Sequence, residues 1–393
     1  MKALSILVVG SGMYVCGRGT LGYGTIIPAL YEWRRNNSIS YLYLASASPK
    51  GIKLARRKLG ELARSMNIDV PIRYFPKGRQ IDGKCYKQAI DEIPKPACAI
   101  ISVPDYLHKE IAAYAIKSGL HTLIVKPLAP TLREVGVLLK LQKKAGVHCV
   151  VEFHKRLDVA NLKLKDAITQ GSIGDPLYFV IEYSQRRNIP VVHFKKWIGT
   201  TNVFQYLGIH YVDIIYYVTG AAPVRALAVG QRNLLNSLGI NAYDSIQAII
   251  EWRMPKGNTF TSTIITNWID PNRTSAMSDQ KIKVIGTKGR FESDQKNRGI
   301  YIVNDKAGVE EPNPYFCASY GRLGSVSYRG YGIDSVHQFL NDVESIERGE
   351  MQVSDLEGKR PTFRQSIVST AVLEAVNKSL ENRSKWVAVG GIG

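Results

Sequence analysis

The sequence predicts an α/β protein with two domains: a doubly wound parallel sheet, then an α+β domain with a large, mainly antiparallel open sheet. Over the first 150 residues, short apolar runs alternate with amphipathic ones, the pattern of a parallel sheet covered by helices on both faces. Beyond that point, strand-like runs follow one another without intervening helices, as in antiparallel sheets. A length of 393 residues suits two domains, which we place at 1–150 and 151–393.

In the first domain the strand-like runs are apolar and rich in β-branched and aromatic residues. They lie at 5–10, 41–46, 72–75, 97–103, 121–125 and 148–153. The runs between them carry apolar residues three and four positions apart, which is the spacing of one helix face. These predicted helices lie at 25–35, 49–66, 85–93, 108–119 and 131–146.

The second domain is predicted to be mainly strands, with a few helices around them. Helix-like runs lie at 159–174, 204–220, 335–349 and 363–382. Strand-like runs lie at 177–187, 224–232, 245–254, 259–269, 281–287, 289–293 and 299–303. Residues 305–331 are rich in Pro, Gly and Tyr, a composition that predicts a loop.

The chain is strongly basic, with a formal net charge of +19 from 52 basic and 33 acidic residues. Such a balance favours anionic partners such as phosphates or nucleotide-linked sugars, and a merely solvated basic surface is the alternative. The basic residues are spread along the chain, and there is no arginine-rich tail or aromatic-basic motif. We therefore expect no nucleic-acid partner.

Cysteine content and hydropathy predict a cytoplasmic protein without a metal site. The five cysteines are scattered and form no C-x-x-C pair, so neither a zinc site nor a disulfide framework is indicated. No apolar run approaches the ~20 residues that span a bilayer. The apolar run at the N-terminus is too short for a signal peptide and is broken by glycines.

The first strand leads into a glycine turn of the kind that binds dinucleotides. Gly10, Ser11 and Gly12 follow the apolar run, and a strand, a G-x-G turn and a helix together place a pyrophosphate at the helix N-terminus. The third glycine of the usual pattern would fall at Val15. We expect the helix to begin only near Thr25.

The residues between turn and helix would then be an inserted loop, Met13 to Tyr23, that could fold over the cofactor as a lid. A glycine-rich loop without a ligand is the alternative. The surrounding βαβ pattern favours a Rossmann domain that binds NADP or NAD, with Met13 among the cofactor contacts.

The end of the second predicted strand favours NADP over NAD. An NAD site usually has an acid there to hold the ribose hydroxyls, and the segment YLASASPKGIKLARR contains none. Ser46 and Ser48 offer hydroxyls, and Lys50, with the help of Lys53 or Arg56, could offset a 2′-phosphate. Alternatively, the serines only cap the helix that begins at Pro49.

Four segments in order carry a family resemblance: SVPDYLH (102–108), SGLHTLIVKPLAPT (118–131), VEFHKRLDVA (151–160) and GSIGDPLYF (171–179). With later segments that also fit, they make the chain resemble the glucose-fructose oxidoreductase/inositol dehydrogenase (Gfo/Idh/MocA) family nearly end to end. The resemblance implies hydride transfer between nicotinamide and a carbon of a sugar, sugar nucleotide or polyol. It also implies that the second domain binds substrate and forms a homodimer or homotetramer.

The family's E-K-P motif stands here as Val125-Lys126-Pro127. The resemblance implies that Lys126 contacts the reacting hydroxyl and the nicotinamide ribose. A lysine at the end of a buried strand can polarise a hydroxyl, because burial lowers its pKa. Val125 cannot supply the carboxylate that helps to position the lysine. The alternative is a surface lysine at a strand end.

The family's D-x-x-x-H element stands here as Tyr206-Leu-Gly-Ile-His210. The resemblance implies that His210 takes the hydroxyl proton, and imidazole suits that role. A spacing of four residues would put Tyr206 and His210 on one helix face. Tyr206 brings no negative charge to raise the basicity of the histidine. The alternative is a histidine packed against the sheet, and Asp213 is expected to be structural.

Further site residues follow from the resemblance. Pro104 and His108 match the loop on the nicotinamide side of the cofactor. Arg156 matches a basic position that faces the substrate. The predicted substrate contacts are therefore Lys126, Arg156, Tyr206 and His210. Lys155 either faces the substrate or is solvated. Since the motif Glu and Asp are both replaced, a catalytically inactive regulator that binds the dinucleotide is the alternative to an oxidoreductase.

Overall fold

The computed structural model describes residues 2–306, 308–322 and 324–391. The chain divides into two compact units. The first comprises the residues up to Ala129, Arg133–His154 and Tyr315–Ser366. The second comprises Pro130–Leu132, Lys155–Pro314 and the residues from Ile367 onward.

The sheet of the first unit has six strands, all parallel, in the order β3-β2-β1-β4-β5-β6. This strand order is that of the Rossmann fold, so the predicted fold class is confirmed. Apolar β-branched residues form the strands, and all six positions of β1 are buried. The strands are β1 Leu4–Val9, β2 Ile39–Ala45, β3 Ile72–Phe75, β4 Ala97–Ile101, β5 His121–Val125 and β6 Cys149–Glu152.

The predicted helices that alternate with these strands are all present. They are preceded by a short helix, α1 Met13–Cys16. The others are α2 Ile26–Arg34, α3 Pro49–Met66, α4 Cys85–Glu92, α5 His108–Lys117 and α6 Leu132–Ala145. Within the described residues, none of the helices has the length and apolar content needed to cross a membrane.

A segment from the C-terminal half of the sequence packs in the first unit. Helix α10, Tyr331–Glu347, lies on α2 and adds Val336, Phe339 and Leu340 to the core. Trp33 Nε1 donates to Asn341 Oδ1 at 2.7 Å. The predicted division near residue 150 did not include this return of the chain, because amphipathicity shows that a helix has an apolar face but not what covers it.

The second unit is built on a seven-stranded sheet in the order β12-β11-β7-β10-β9-β8-β17. Only β7 and β10 pair in parallel and the other pairs are antiparallel, which confirms the mainly antiparallel sheet. Buried and less buried positions alternate along β10, so one face of the sheet is covered. The strands are β7 Pro176–Arg186, β8 Ala222–Gln231, β9 Ser245–Arg253, β10 Thr259–Asp270, β11 Ser278–Gly286, β12 Arg290–Asp294 and β17 Val387–Ala388.

Two long helices pack against each other in this unit: α8 Ile209–Thr219 and α11 Ile367–Glu381, the latter also against β8. Helix α7, Val159–Thr169, packs on α8. A short helix, α9 Leu234–Ser237, follows β8. These helices bury mainly apolar residues, as their sequence periodicity predicted.

The prediction of a loop at 305–331 was wrong in part, because the region contributes to two hairpins. β13 Ile302–Asn304 pairs with β14 Gly308–Glu310, and β15 Ala318–Arg322 pairs with β16 Ser325–Arg329. The run at 299–303 was expected to extend the large sheet, but its strand belongs to the first hairpin. All three residues of β13 are exposed. A strand without alternating buried and exposed positions carries no pattern that specifies which sheet it joins.

Candidate active site

The glycine turn lies at the carboxyl end of β1, where the backbone is tightly constrained. Gly10 has a φ of 122°, and a Cβ there would lie 2.0 Å from the carbonyl oxygen of Ser102. Only glycine fits this position. A Cβ on Gly12 would meet nothing within 4 Å, so the space that a phosphate needs beside the backbone is present.

The helix after this turn begins at Met13 rather than near Thr25, which corrects the prediction. Gly12 is the N-cap of α1, and Gly17, with a φ of 66°, ends that helix. The chain then loops out and returns, and the backbone N–H of Thr25 donates to the carbonyl oxygen of Tyr14 at 2.8 Å. The insertion is therefore Gly17–Gly24 and not Met13 to Tyr23.

Lys58, which the sequence analysis missed, fastens this loop to α3. Its buried ammonium donates to the carbonyl oxygens of Gly17 at 2.8 Å and of Thr20 at 2.9 Å, and also to that of Gly22. Burial lowers the pKa of Lys58. The sequence did contain a signal for Lys58, because it lies three residues after Ala55 on the apolar face of an amphipathic helix. A lysine on such a face is expected to be buried and therefore to have hydrogen-bond partners.

The serines after β2 do not cap α3. Ser46 Oγ lies 2.7 Å from Ser11 Oγ, and both side chains are buried. Ser48 is the N-cap residue, but its side chain makes no capping hydrogen bond. Lys50 and Lys53, near the N-terminus of α3, are exposed.

An acid does come close to the end of β2, from a different part of the chain. The backbone N–H of Asp82 donates to the carbonyl oxygen of Ala47 at 3.0 Å, and the Asp82 side chain accepts from the Lys84 N–H at 2.7 Å. Asp82 lies on the loop between β3 and α4, so the residues that follow β2 in the sequence do not reveal it.

Lys126 follows the last residue of β5 and is 8 % exposed, so it is not a surface lysine. Burial lowers its pKa to about 8, and the carboxylates of Asp105 and Glu152 partly oppose that decrease. The Lys126–Pro127 peptide bond is cis. An ammonium of this kind can donate a hydrogen bond to the oxygen of a hydroxyl. Because its pKa is close to neutral pH, it can also give up and regain a proton during a reaction.

Glu152, a second residue that sequence reasoning missed, is the register partner of Val125 on β6. Its side chain is almost fully buried and accepts from Tyr14 Oη at 2.9 Å and from Ser335 Oγ at 2.6 Å. His154 Nδ1 lies 2.9 Å from its other oxygen. The sequence did contain a signal for this residue, because a glutamate at the end of an otherwise apolar strand is expected to be buried. Buried carboxylates are rare unless they are paired, so such a glutamate indicates a site.

His108 connects the loop after β4 to the peptide that follows Lys126. The buried ring has Nδ1 2.7 Å from the Pro127 carbonyl oxygen and Nε2 3.0 Å from that of Val103. Both neighbours are acceptors, and a neutral imidazole has only one N–H to offer them. Pro104 lies beside this contact and is half-buried.

In the second unit, His210 is buried on the first turn of α8, with its ring 6.5 Å from that of Tyr183. On the next turn, Asp213 forms a bidentate ion pair with Arg156, with distances of 2.8 Å to Nε and 2.7 Å to Nη2. Burial raises the pKa of the Asp213 carboxyl, and Arg156 opposes that rise. The structural role expected for Asp213 is therefore present.

Tyr206 lies in a π-helical turn, Phe204–Gly208, that precedes α8. Its ring packs 4.7 Å from that of Phe194 and 6.3 Å from that of Trp268. The backbone passes from this π-turn into α8 between Tyr206 and His210, so the expectation that the two side chains share one helix face, which assumed α-helical spacing, stays a prediction. Such turns are frequent at functional sites.

Lys155 is neither solvated nor near the surface. Its ammonium donates to Gln280 Oε1 and lies 5.1 Å and 5.5 Å from the ring centres of Tyr183 and Tyr211. This arrangement of a cation against two aromatic faces and an amide ties the start of the second unit to its sheet.

Two family models match the chain. Residues 57–153 match the model of the oxidoreductase family with an NAD-binding Rossmann fold. Residues 161–292 match that of the GFO/IDH/MocA C-terminal domain. Apart from Pro130–Leu132, the first matched segment lies in the first unit, and the other segment lies in the second unit. Together they cover more than half of the chain.

Similar proteins include two inositol dehydrogenases. The chain is 26 % identical over 267 residues to the myo-inositol 2-dehydrogenase of Thermotoga maritima, covering 67 % of this chain and 75 % of that protein. It is 28 % identical over 228 residues to the scyllo-inositol 2-dehydrogenase (NAD(+)) of Bacillus subtilis, covering 57 % of this chain and 63 % of that protein. The crystal structure of myo-inositol 2-dehydrogenase from Lactobacillus plantarum has the same fold, with a TM-score of 0.69, 19 % identity and coverage of 99 % and 100 % of the two chains.

Proposed function

This chain belongs to the Gfo/Idh/MocA family and is an NAD-binding oxidoreductase, and on that premise we propose that its substrate is a polyol, sugar or sugar nucleotide. Hydride would move to or from a carbon that bears a hydroxyl group. The observation that carries the proposal is Lys126, a buried lysine with a pKa lowered to about 8 at the carboxyl end of a parallel strand. Ligands of open parallel sheets bind outside those ends.

The first unit offers a fitting place for the dinucleotide. The open space beside Gly12 and the fixed turn at Gly10 suit a pyrophosphate, which Ser11 and Met13 would also contact. Pro104 and His108 would line the nicotinamide side. When bound, nicotinamide supplies the acceptor or donor of the hydride.

We propose that NADP is preferred over NAD. The Ser48 hydroxyl is not used for capping, and the Lys50 ammonium is exposed beside it. Together with Ser46, these groups could hold a 2′-phosphate. Asp82 is the feature that favours NAD instead, since a carboxylate suits free ribose hydroxyls.

Two side chains are proposed to manage the proton of the reacting hydroxyl. Lys126 would donate a hydrogen bond to the hydroxyl oxygen, and His210 would accept the proton as hydride leaves the carbon. In the reverse direction the same groups would protonate the new alkoxide. Tyr206 would donate to another hydroxyl of the substrate. Arg156 would face the substrate while paired with Asp213.

The second unit is also the proposed site of self-association, as a homodimer or homotetramer. Leu177 and Tyr178 on β7, Val229 on β8 and Ile249 on β9 are exposed apolar side chains of one sheet. β8 and β9 are neighbours in the sheet and β10 separates them from β7, and exposed apolar groups spread over one sheet favour an interface. Size-exclusion chromatography with light scattering measures the molar mass of the assembly. A mass of two or four chains would support this proposal, and the mass of one chain would contradict it.

The experiment that tests the function is a dehydrogenase assay with NADP and NAD against cyclic polyols, including myo- and scyllo-inositol, simple sugars and sugar nucleotides. Reduction of the cofactor by one of these substrates, lost in Lys126→Met and in His210→Asn, supports the proposal. Lys117→Met is the matched control, because Lys117 is an exposed lysine at the end of α5. Cofactor binding without turnover of any substrate would favour a regulator instead.

A further inference from the structure

We propose that Asp105 and Glu152, the acids beside the ends of β4 and β6, together replace the carboxylate that Val125 does not supply and act as positioning residues for Lys126. The electrostatic part of this proposal concerns the first unit alone. Its consequence for turnover rests on the function proposed above.

The sheet order places the two acids on either side of the lysine. β5 lies between β4 and β6, and the carboxyl ends of parallel strands meet at one edge of a sheet. Lys126 follows β5 directly. Asp105 opens the 3₁₀ turn after β4, and Glu152 is the last residue of β6, in register with Val125.

Both acids are buried, which strengthens their effect on a neighbouring charge. Asp105 is 6 % exposed and Glu152 is 2 % exposed, and charges that are little screened by water interact strongly. Burial lowers the pKa of Lys126, and the two carboxylates, Asp105 first, oppose that decrease. Without them the pKa of Lys126 would be lower still, so less of the lysine would carry the positive charge that polarises a substrate oxygen.

The carboxylate of Glu152 is held in place by other groups of the first unit. Tyr14 and Ser335 donate to one of its oxygens, and His154 lies against both. Burial, and then the charge of Glu152, raises the pKa of Tyr14 well above its usual value, so the phenol keeps the proton that it donates. A carboxylate fixed in this way can orient a neighbouring ammonium as a glutamate in the lysine's own motif would.

The experiment is an NMR titration of protein labelled with ¹³C at the lysine Cε, with the Lys126 signal assigned by its loss in Lys126→Met. In the wild type we expect a midpoint near pH 8. In Glu152→Gln and in Asp105→Asn the midpoint should fall by about one pH unit, since an adjacent opposite charge has an effect of that order. In the double variant Val125→Glu/Glu152→Gln, which returns a carboxylate to the neighbouring strand, the midpoint should rise again.

The matched control is Glu92→Gln, which removes one negative charge from an exposed position of the first unit and should leave the midpoint unchanged. Glu152→Asp keeps the charge on a shorter side chain and replaces Glu152→Gln in the test if the Gln variant does not fold. Its Lys126 midpoint should fall by less than the one pH unit expected for Glu152→Gln. An unchanged Lys126 midpoint in folded Glu152→Gln or Asp105→Asn would overturn the proposal.

Activity separates this proposal from the proposed function. If the midpoints fall as expected but the wild type oxidises no polyol or sugar, the function fails and the electrostatic assignment stands. If the wild type is active, the alkaline decline of kcat/KM in Glu152→Gln should move to lower pH by the same amount as the NMR midpoint. A merely structural role would lower stability without moving that profile.

Discussion

The ammonium of Lys58 donates a hydrogen bond of 2.8 Å to the carbonyl oxygen of Gly17, so α3 holds the loop that separates α1 from α2. The loop Gly17–Gly24 is attached at its stem and at its tip by the same side chain. An inserted loop that could close over a cofactor as a lid would therefore have to move against this attachment.

Replacing Lys58 by Met should release the loop and leave carbonyl groups without a donor. Each lost bond to a charged group costs about 1.5–3 kcal/mol, so we expect a lower free energy of unfolding and faster proteolysis within Gly17–Gly24. Denaturant unfolding and mass spectrometry of the cleavage sites measure both. Lys53→Met, an exposed position on the same helix, is the control. Equal proteolysis of the two variants would contradict the role of Lys58.

Substitution of the two turn glycines should give different results. Gly10→Ala requires an uncommon backbone conformation and a displacement of Ser102, so we expect loss of folding or destabilisation by about 1–3 kcal/mol. Gly12→Ala meets no neighbour and should fold normally while binding the dinucleotide at least tenfold more weakly. Thermal unfolding and fluorescence titration distinguish these effects. Normal cofactor affinity in Gly12→Ala would show that the pyrophosphate binds elsewhere.

The preference for NADP is tested at the first turn of α3. Lys50→Gln should weaken NADP binding about tenfold, a loss of about 1.4 kcal/mol, and should leave NAD binding unchanged. Lys117→Gln removes an exposed charge elsewhere in the first unit and should affect neither cofactor. Titration of each protein with both cofactors provides the measurement. Tighter binding of NAD than NADP by the wild type would reverse the assignment and direct attention to Asp82.

The activity should decrease as the pH rises through about 8. The pKa of Lys126 is lowered to about 8, and its charged form is the stronger hydrogen-bond donor to a hydroxyl oxygen, so kcat/KM should fall above that pH. Lys126→Met should lose about 10²–10⁴-fold in turnover. Lys126→Arg keeps its proton at all accessible pH values, so its residual activity should lack the alkaline decline. The same decline in both proteins would assign it to another group.

The ion pair of Arg156 and Asp213 should be essential to the stability of the second unit. Asp213→Asn leaves a buried guanidinium without its counter-charge, which costs about 3–5 kcal/mol. The double variant Arg156→Met/Asp213→Leu removes both charges and should recover much of that loss. If Arg156 also faces the substrate, the stable double variant should show a raised KM. Denaturant unfolding and steady-state kinetics provide the two measurements, and an unchanged KM would leave Arg156 a purely structural role.

The features that could be predicted from the sequence are those encoded within a few consecutive residues. The alternation of apolar runs fixed the parallel sheet, and the Gly10 turn and the strand before Lys126 were recognisable from their own residues. The π-turn at Tyr206 was not, because α and π turns differ by one hydrogen-bond step that residue type does not specify. The early start of α1 was missed for a related reason, since its single turn gives no periodicity to detect.

By itself, the sequence determined the fold class, the order of the main strands and helices of the two large sheets along the chain, and the position of Lys126 at a strand end. Only the tertiary structure decided which side chains surround these positions. Glu152 comes to Lys126 from the next strand, Asp82 reaches the end of β2 from a loop, and Lys58 reaches across to Gly17. The physical reason is that strand order and register bring together residues far apart in sequence, and charges act on their spatial neighbours rather than on their neighbours in the chain.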